Sequence, residues 1–410
     1  MSDRVVEAPS GARAQIFAFS ALLASLAAGY GVLFTIVDDY KNEYGISESA
    51  VGLIIGIGFF SAFLSQLLVA PFADRGHARA VVFGGVAVAV IGLVLMASGT
   101  SLVPILVGRF VNGLGIGAVN PAVRRIVILA DPQNLGRNLG WLLSAEVFGF
   151  AMGPVVSAVL VPVFGIPAPF YTIGALTVVL ALAVSGVRVE ETADAPSQRL
   201  AFDLLRIRPF AGAVVMATAV YIMIGAFDAL WALVHDELGT TEWVANLGIA
   251  LFALPLIFLG PVGGRLAQHV GPFRLGSLGL TLGALFMASY GLLPTGGLIF
   301  AVAMVHALAD GLTISSTGVA AGMTVPEERQ ASAQGILGAA QAVMAGLMAV
   351  VTGAVYEHFG RTAAYLTCSV VMLSLIATGA WLARSAWNLR GDAVELGASQ
   401  MPSPAAISDR

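Results

Sequence analysis

The chain has 410 residues, of which 58% are hydrophobic and 11% are charged, and its mean hydropathy is +0.89. Soluble domains carry about 25% charged residues, so this composition excludes an ordinary water-soluble protein and indicates a membrane protein. The formal net charge of −4 says little about partners, because the distribution of charge along the chain matters more than its sum. The single cysteine, Cys368, excludes an intramolecular disulfide.

Twelve apolar stretches of about 20 residues follow one another along the chain, and a helix of that length spans a bilayer. Short connections with turn residues, such as Pro294-Thr295-Gly296, separate them. The predicted spans are 14–37, 49–70, 80–99, 102–123, 138–161, 168–187, 210–233, 244–264, 274–293, 297–322, 332–356 and 362–383.

The basic residues are distributed very unevenly over the two ends of these spans. Lys41 and Arg361 fall on one side and Arg109 lies within a span, whereas the other 17 of the 20 basic residues fall on the side of the termini. Because positive residues stay on the cytoplasmic side, we expect both termini to be cytoplasmic and the protein to lie in the cell membrane.

The longest internal connection divides the spans six and six. We predict a cytoplasmic segment 1–13, a six-helix bundle 14–187, a cytoplasmic loop 188–209, a second bundle 210–384 and a cytoplasmic tail 385–410. The part from Arg199 to Phe210 forms either a short interfacial helix or a solvated linker. The tail is polar from Ala386 onward, and we expect it to be disordered.

The two bundles repeat each other at a shift of 195 residues. In this register Gly140 aligns with Gly335, Phe164-Gly165 with Phe359-Gly360, and Glu146 with Gln341. Two repeated six-helix halves are typical of a transporter whose substrate site lies between the halves, near the middle of the membrane.

The connection between the second and third spans carries an acidic–basic motif, Ala70-Pro71-Phe72-Ala73-Asp74-Arg75-Gly76-His77-Ala78-Arg79. We expect Asp74 to cap or pair across a helix end, and Arg75 and Arg79 to anchor the cytoplasmic face. The alternative is an anchor for topology with no part in gating.

The fourth span contains Gly108-Arg109-Phe110-Val111-Asn112-Gly113-Leu114-Gly115-Ile116-Gly117. A guanidinium in hydrocarbon costs several kcal/mol on most scales, so Arg109 is expected to face a partner or a wet cavity. A fixed structural ion pair is the alternative for Arg109.

The fifth span contains Gly149-Phe150-Ala151-Met152-Gly153-Pro154. Gly149 and Gly153 allow a neighbouring helix to approach closely, and Pro154 removes a backbone hydrogen bond so that the helix can bend. An ordinary close-packed interface with a proline kink is the alternative.

With this topology, the chain resembles the major facilitator superfamily over nearly its whole length. The loop at 70–79 resembles the family's glycine-led acidic–basic loop, although Ala70 and His77 replace two of its glycines. The fourth span resembles the arginine-plus-glycine pattern of proton-exchanging members, and the fifth resembles the glycine–proline element associated with antiport. The resemblance implies an all-α integral membrane fold of twelve helices in two pseudo-symmetric bundles, with spans one, four, seven and ten around a central cavity.

Five ionisable side chains lie well inside the predicted spans: Arg109, Glu146, Asp228, His306 and Asp310. Ionisable groups at membrane depth are functional candidates. We hypothesise that Arg109 is a fixed cation that pairs with Asp228, that Asp228 or Asp310 takes up a proton, and that His306 relays or senses it.

Each of these assignments has a structural alternative. Asp228 could instead extend toward the outer surface, His306 could be a packing residue, and Glu146 could serve a contact between helices. Tyr30, Asn112, Tyr221 and Trp231 are weaker candidates for substrate contacts, since an apolar, aromatic cavity suits amphipathic or weakly basic compounds.

These observations predict a monomeric proton-coupled exporter of small amphipathic molecules or drugs, embedded in the lipid bilayer, with a proton-coupled importer of a metabolite as the alternative. No glycine loop with lysine is present for a nucleotide, and Lys41 is the only lysine. We expect no cofactor, no metal and no nucleic-acid partner. An enzyme is disfavoured because no metal-ligand spacing and no Ser–His–Asp set is evident.

Overall fold

The computed structural model describes residues 10–187, 189 and 200–391. Over these ranges the chain is helical and contains no β-strand. The expectations for the start of the predicted segment 1–13, for most of the central loop up to residue 199 and for the tail from 392 lie outside the described residues.

Twelve long helices form the two halves. They are α1 (Ser10–Gly31), α2 (Glu48–Leu68), α3 (Ala78–Ser98), α4 (Leu102–Ala130), α5 (Leu135–Phe164), α6 (Pro167–Val184), α7 (Arg208–Glu237), α8 (Glu242–Val270), α9 (Pro272–Tyr290), α10 (Gly296–Thr313), α11 (330–359) and α12 (361–382). The last two belong to one helical segment, Gln330–Leu382, which is interrupted at Gly360. Short helices Val37–Tyr44 and Ser316–Thr324 follow α1 and α10.

Length and hydropathy agree with twelve crossings. In the described ranges, nine segments are long and apolar enough to cross a membrane, and two of them, Gly52–Ser98 and Glu327–Ala386, each contain two long helices. The 19-residue helix α9 completes the set. The predicted number of membrane helices is therefore reproduced, with different ends.

The difference from the predicted ends that matters most for the site is in α4. The helix continues to Ala130, although the sequence prediction ended it at residue 123. Pro121 lies inside it, and such prolines are tolerated in membrane helices because neighbouring groups satisfy the freed backbone. Arg124 and Arg125, which lie beyond the predicted end of the fourth span, are consequently residues of this helix, Arg124 half-buried and Arg125 buried.

The internal repeat is visible in backbone geometry. Gly165, after α5, has φ 80° and ψ 173°, and Gly360, after α11, has φ 79° and ψ 177°. A positive φ is readily adopted only by glycine, so the same break requires the same residue at both equivalent positions.

The two halves meet along two helix pairs, α2 with α11 and α5 with α8. In α5 and α8 a β-carbon at Gly136 would overlap the carbonyl oxygen of Gly264, and one at Gly140 would overlap that of Gly260. Backbones this close need glycine on both sides. In the other pair, Gly335 lies against the backbone of Gln66.

These close contacts lie toward the side of the termini. One apolar cluster there combines residues of both halves, for example Ile126 and Leu135 with Ala267 and Val319. A cluster at the opposite end of the first half, around Leu33, contains only residues of that half. Among the described residues the halves are therefore joined on the side of the termini.

Two peripheral segments also pack on the second half. Residues Phe202–Arg206 form a short 3-10 helix in which Leu204 is buried, which favours a docked helix over a solvated linker for this part. After α12, the chain continues in contact with the protein as far as Gly391, whose N–H donates to the carbonyl of Gln268. The expectation of disorder from Ala386 onward is thus wrong for residues 386–391.

Candidate functional site: a cavity between the two halves

A cavity of about 440 Å³ lies between the halves. Its wall is formed by α1, α2, α4 and α5 from the first half and by α7, α8, α10 and α11 from the second. Most of the wall is apolar, with a few polar side chains, which is typical of small-molecule sites. The cavity lies beyond the contacts that join the halves on the side of the termini, so those contacts form its floor.

Arg109 occupies one corner of the cavity and is 3% exposed. Its Nη1 donates to Oδ1 of Asn112 at 2.9 Å, and its guanidinium carbon lies 4.6 Å from the centre of the Tyr30 ring. The head group lies against Gly58 of α2, where a β-carbon would overlap it. Arg109 is therefore held by a glycine notch, an amide and an aromatic face, all within the first half.

Asn112 itself is buried and packs away from the cavity. Its Nδ2 donates to the carbonyl of Ala89 on α3 at 3.0 Å while its oxygen accepts from Arg109. Both functions of the amide are thus used inside the helix bundle. The structure places Asn112 behind Arg109 as a positioning residue, so its assignment to substrate contacts is corrected.

Arg124 and Glu146 form a second charged corner. Nη2 of Arg124, on α4, lies 2.8 Å from Oε2 of Glu146, on α5, and the two side chains are 22% and 18% exposed. Both line the cavity, as does Tyr221 of the second half. Glu146 is thus a cavity residue rather than part of the contact between α5 and α1, which Gly149 and Gly153 make.

Asp310 brings a carboxylate to the cavity from α10, and a buried polar chain extends behind it. Its Oδ2 lies 3.4 Å from Nε2 of His306, one helical turn earlier, and Nδ1 of His306 lies 2.9 Å from the hydroxyl of Tyr290 on α9. His306 is fully buried and stacks on Phe286. The three groups form a continuous path from the cavity into the second half.

The remaining aromatic candidates also line the cavity. Tyr30 lies in the first half, and Tyr221 and Trp231 lie on α7. Trp231 stacks on Phe227 at a centroid separation of 5.4 Å. The side chain of Asp228, on the same helix, lies outside the described residues, so the predicted pair of Asp228 with Arg109 stays a prediction.

The acidic–basic loop meets the second half at the floor. The carboxylate of Asp74 accepts from the backbone N–H groups of Ala331 at 3.0 Å and Ser332 at 2.7 Å, at the start of α11. Nε of Arg125 lies 3.2 Å from the same carboxylate, and both side chains are buried. An acid at a helix N-terminus stabilises it, so Asp74 joins the halves while Arg125 offsets its charge.

The basic residues of this loop have other roles. Arg75 lies over the ring of Phe72, and Arg79 lies over that of Phe83 while Nη2 donates to the carbonyl of Ser185 after α6. These contacts stay within the first half. Arg75 and Arg79 thus brace the loop that presents Asp74.

The glycine–proline element of α5 packs inside the first half. A β-carbon at Gly149 would overlap the carbonyl oxygen of Ala24, and one at Gly153 would lie 2.5 Å from that of Ala28, both on α1. Pro154 contacts α1 at Gly31. The element therefore fixes α5 to α1, away from the contact with α8.

Sequence reasoning missed Arg124 because it ended the fourth helix too early. Arg109, Gly113, Asn120 and Arg124 recur at helical spacing and all line the cavity, so extending the periodic pattern past Pro121 would have found it. The pairing of Glu146 with Gln341 in the repeat was informative, since both line the cavity. Across the described ranges, no cluster of three or more His, Cys, Asp or Glu residues could hold a metal ion.

Comparison with known proteins identifies the fold. The sequence profile of the Major Facilitator Superfamily matches residues 17–233 and 210–393. The chain belongs to the Major Facilitator Superfamily. The resemblance drawn from the motifs is therefore confirmed, and with it the all-α fold of two bundles; the protein is a multi-pass membrane transporter and not an enzyme.

Relatives within the superfamily are distant. The MFS-type transporter MJ1560 of Methanocaldococcus jannaschii is 24% identical over 324 residues, which cover 75% of this chain and 82% of that protein. The quinolone resistance protein NorA of Staphylococcus aureus is 24% identical over 217 residues, which cover 50% of this chain and 54% of NorA.

Two solved superfamily structures share the fold. The human organic anion transporter MFSD10 (TETRAN) has a TM-score of 0.73 at 14% identity, covering 90% of this chain and 100% of that one. FucP in its outward conformation has a TM-score of 0.71 at 15% identity, covering 91% and 99%. At these identities the similarity shows the fold alone.

Proposed function

We propose that the protein exports small amphipathic molecules across the cell membrane in exchange for protons, by alternating access. The observation that carries this proposal is Asp310, a carboxyl group on the wall of a cavity shared by both halves, with His306 and Tyr290 aligned behind it. The quinolone resistance protein NorA, similar over half of the chain, supports an efflux role.

Proton coupling follows from the cost of charge in this environment. An ionised carboxyl in a largely apolar cavity is costly to bury, and protonation removes that cost. The protonation state of Asp310 therefore biases which of the two arrangements of the halves is favoured. His306, 3.4 Å away and closed off from water, offers the proton a path toward Tyr290.

Export rather than import is proposed from the similarity to NorA. If the termini are cytoplasmic, as the arginine asymmetry predicts, the joined side of the halves faces inward and the cavity faces outward. In antiport, an inbound proton on Asp310 and an outbound substrate use the same cavity in turn. The apolar wall with its aromatic rings suits a substrate that is partly apolar.

The test uses purified protein in liposomes with the membrane potential clamped, and ethidium as an amphipathic probe. An acidic interior should drive ethidium inward in exchange for protons, and a protonophore should abolish the accumulation. Uptake driven by an acidic exterior would indicate symport and would contradict export by antiport.

Asp310→Asn should reduce pH-driven accumulation to the level of protein-free liposomes. Asp236→Asn, which changes an exposed aspartate at the end of α7, is the matched control and should transport normally. Undiminished transport by Asp310→Asn would remove this residue from the coupling scheme.

A further inference from the structure

A second cavity, of about 230 Å³, opens on the flank of the molecule between α2 and α11. Gly56, Phe59, Phe60 and Phe63 form one wall, and residues of α11 including Ala342 and Gly346 form the other. The side chain of Phe60 is 55% exposed on the surface that faces the bilayer, and its ring stacks on that of Phe63. We call this cavity the flank crevice.

The flank crevice adjoins the central cavity. Phe59 and Ala342 line both, so a single layer of side chains separates the two spaces. On the inner side, the Phe59 ring lies 5.4 Å from that of Tyr30, which in turn covers Arg109. A molecule that passes Phe59 from the crevice therefore arrives at the Tyr30–Arg109 corner.

The separation of α2 and α11 is uneven along their length. Toward the termini a β-carbon at Gly335 or Gly338 would press on Gln66. Farther from the side of the termini, a β-carbon at Gly56 or Gly346 would meet nothing within 4 Å. The helices are in close contact at the floor and diverge toward the other side of the membrane, where the crevice lies.

We propose that the flank crevice is a lateral portal through which membrane-dissolved amphipathic substrates pass between the central cavity and the bilayer leaflet opposite the termini. The phenyl rings of Phe60 and Phe63 contact the apolar part of the substrate, and Phe59 is the movable partition. Burying the substrate's apolar surface against these rings keeps it out of water along the whole path. The inference rests on the proposed transport function and specifies the substrate class for it.

The transport test uses a variant in which an added side chain occupies the part of the portal that faces the lipid. Gly346→Phe places a ring in the crevice, and Gly84→Phe, on the exposed face of α3 with equally free space, is the matched control. Two amphipathic dyes are compared in liposomes: the bisbenzimide Hoechst 33342, which partitions strongly into the membrane, and ethidium, a cation that stays mainly in water. Gly346→Phe should lower Hoechst transport about tenfold relative to ethidium, and Gly84→Phe should change neither.

A second measurement does not depend on transport. A nitroxide at Ala342→Cys, in a Cys368→Ala background, reports collisions with oxygen, which concentrates in the bilayer. The collision rate should be high and should fall in the Gly346→Phe variant. The collision rate shows whether the crevice extends from the bilayer to Phe59, whether or not the protein transports a dye. If the rate is high but the protein transports neither dye, the proposed transport function fails and the crevice itself does not.

Three outcomes would overturn the portal. If Gly346→Phe lowers the transport of both dyes equally, or of neither, the substrate does not pass through the crevice. The same result is expected if a lipid molecule merely occupies the crevice. A nitroxide at position 342 that is shielded from oxygen would show that the crevice ends before the cavity.

Discussion

Arg109 and Arg124 lie on one face of α4, yet their charges are stabilised in different ways. Arg109 is held by a neutral amide and an aromatic ring, whereas Arg124 is paired with Glu146. An ion pair near solvent and a guanidinium held by an amide and an aromatic ring respond differently to substitution. Removing one member of the ion pair leaves the charge of the other uncompensated, whereas removing both leaves no uncompensated charge.

Arg124→Gln or Glu146→Gln alone should therefore lower the free energy of unfolding by roughly 1–3 kcal/mol, less than for a fully buried pair because both side chains retain some solvent. The double variant Arg124→Gln/Glu146→Gln should recover most of the loss. Thermal unfolding of the purified variants in detergent measures this. A double variant whose destabilisation equals the sum of the two singles would contradict a coupled pair.

Asp203, on the connection between the halves, gives a pH-dependent prediction. Partial burial opposes its ionisation, but the two hydrogen bonds from Arg329, each of 2.9 Å, outweigh this effect and hold its pKa below the ordinary 3.8. A folded-state pKa below the unfolded one means that the pair stabilises the protein above the ordinary pKa. That contribution is lost as pH falls through the lowered value.

Asp203→Asn should thus destabilise the protein by about 0.5–1 kcal/mol at neutral pH, as for a solvent-accessible pair. The difference between wild type and variant should shrink as pH falls below about 4, because the carboxyl is protonated first in the unfolded state and, at lower pH, in the folded state. Unfolding temperatures measured across this range provide the check. A difference that stays constant down to pH 3 would exclude the ion pair as its cause.

At the residue scale, the sequence predicted which ionisable side chains matter better than it predicted which residues they contact. The spacing of His306 and Asp310 placed them on one face of a helix, and the structure brings them within 3.4 Å. Glu146 as the partner of Arg124 and the Ala89 carbonyl as an acceptor for Asn112 were not predictable, because both lie on neighbouring helices whose rotation only packing decides. An ion pair between α4 and α5 leaves no pattern within either helix.

At the scale of elements, α5 shows how glycine position decides helix contacts. Gly149 packs on the backbone of α1, so Gly149→Ala should force the two helices apart and cost roughly 1–3 kcal/mol. Gly84→Ala, on a free face of α3, should be neutral or slightly stabilising because alanine favours helix by about 1 kcal/mol. Thermal unfolding of the two variants compares them directly, and equal effects would contradict the close packing.

The sequence predicted the number of membrane helices correctly but placed several of their ends at the wrong residues. Hydropathy sets the number of crossings, because a bilayer requires a fixed apolar length. It does not determine where a helix ends when it continues into the protein's own polar interior, as α4 does beyond Pro121. The glycine–proline motif in α5 predicted close packing but not the partner, since a stripe of glycines fits any neighbouring backbone.

At the scale of the whole molecule, Asp74 holds the halves together through the start of α11. Asp74→Ala would leave two backbone N–H groups without their acceptor and would remove the carboxylate beside Arg125, which should favour separation of the halves on that side. Spin labels at exposed His77→Cys and Glu328→Cys, in a Cys368→Ala background, should then show a population at longer distance. Asp203→Asn, whose carboxylate pairs with Arg329, is the control and should leave the distances unchanged.

An unchanged distance distribution in Asp74→Ala would show that the carboxylate does not hold the halves closed. The repeat predicted two halves, and the acidic–basic motif predicted that Asp74 caps or pairs across a helix end. The sequence did not reveal that its partners are backbone groups of α11, because a main-chain donor has no residue signature.

The α5–α8 contact has a further consequence for the energy of motion. Where Gly136 faces Gly264 and Gly140 faces Gly260, peptide backbone touches peptide backbone, and Ser144 and Gln268 are the neighbouring side chains. Sliding one helix along the other there should therefore require few rotamer changes. The rate of the transport cycle should therefore depend on the side-chain hydrogen bonds between α5 and α8 more than on their backbone contacts. The side chain of Gln268, for example, accepts from the N–H of Gly136 and donates to the carbonyl of Gln133.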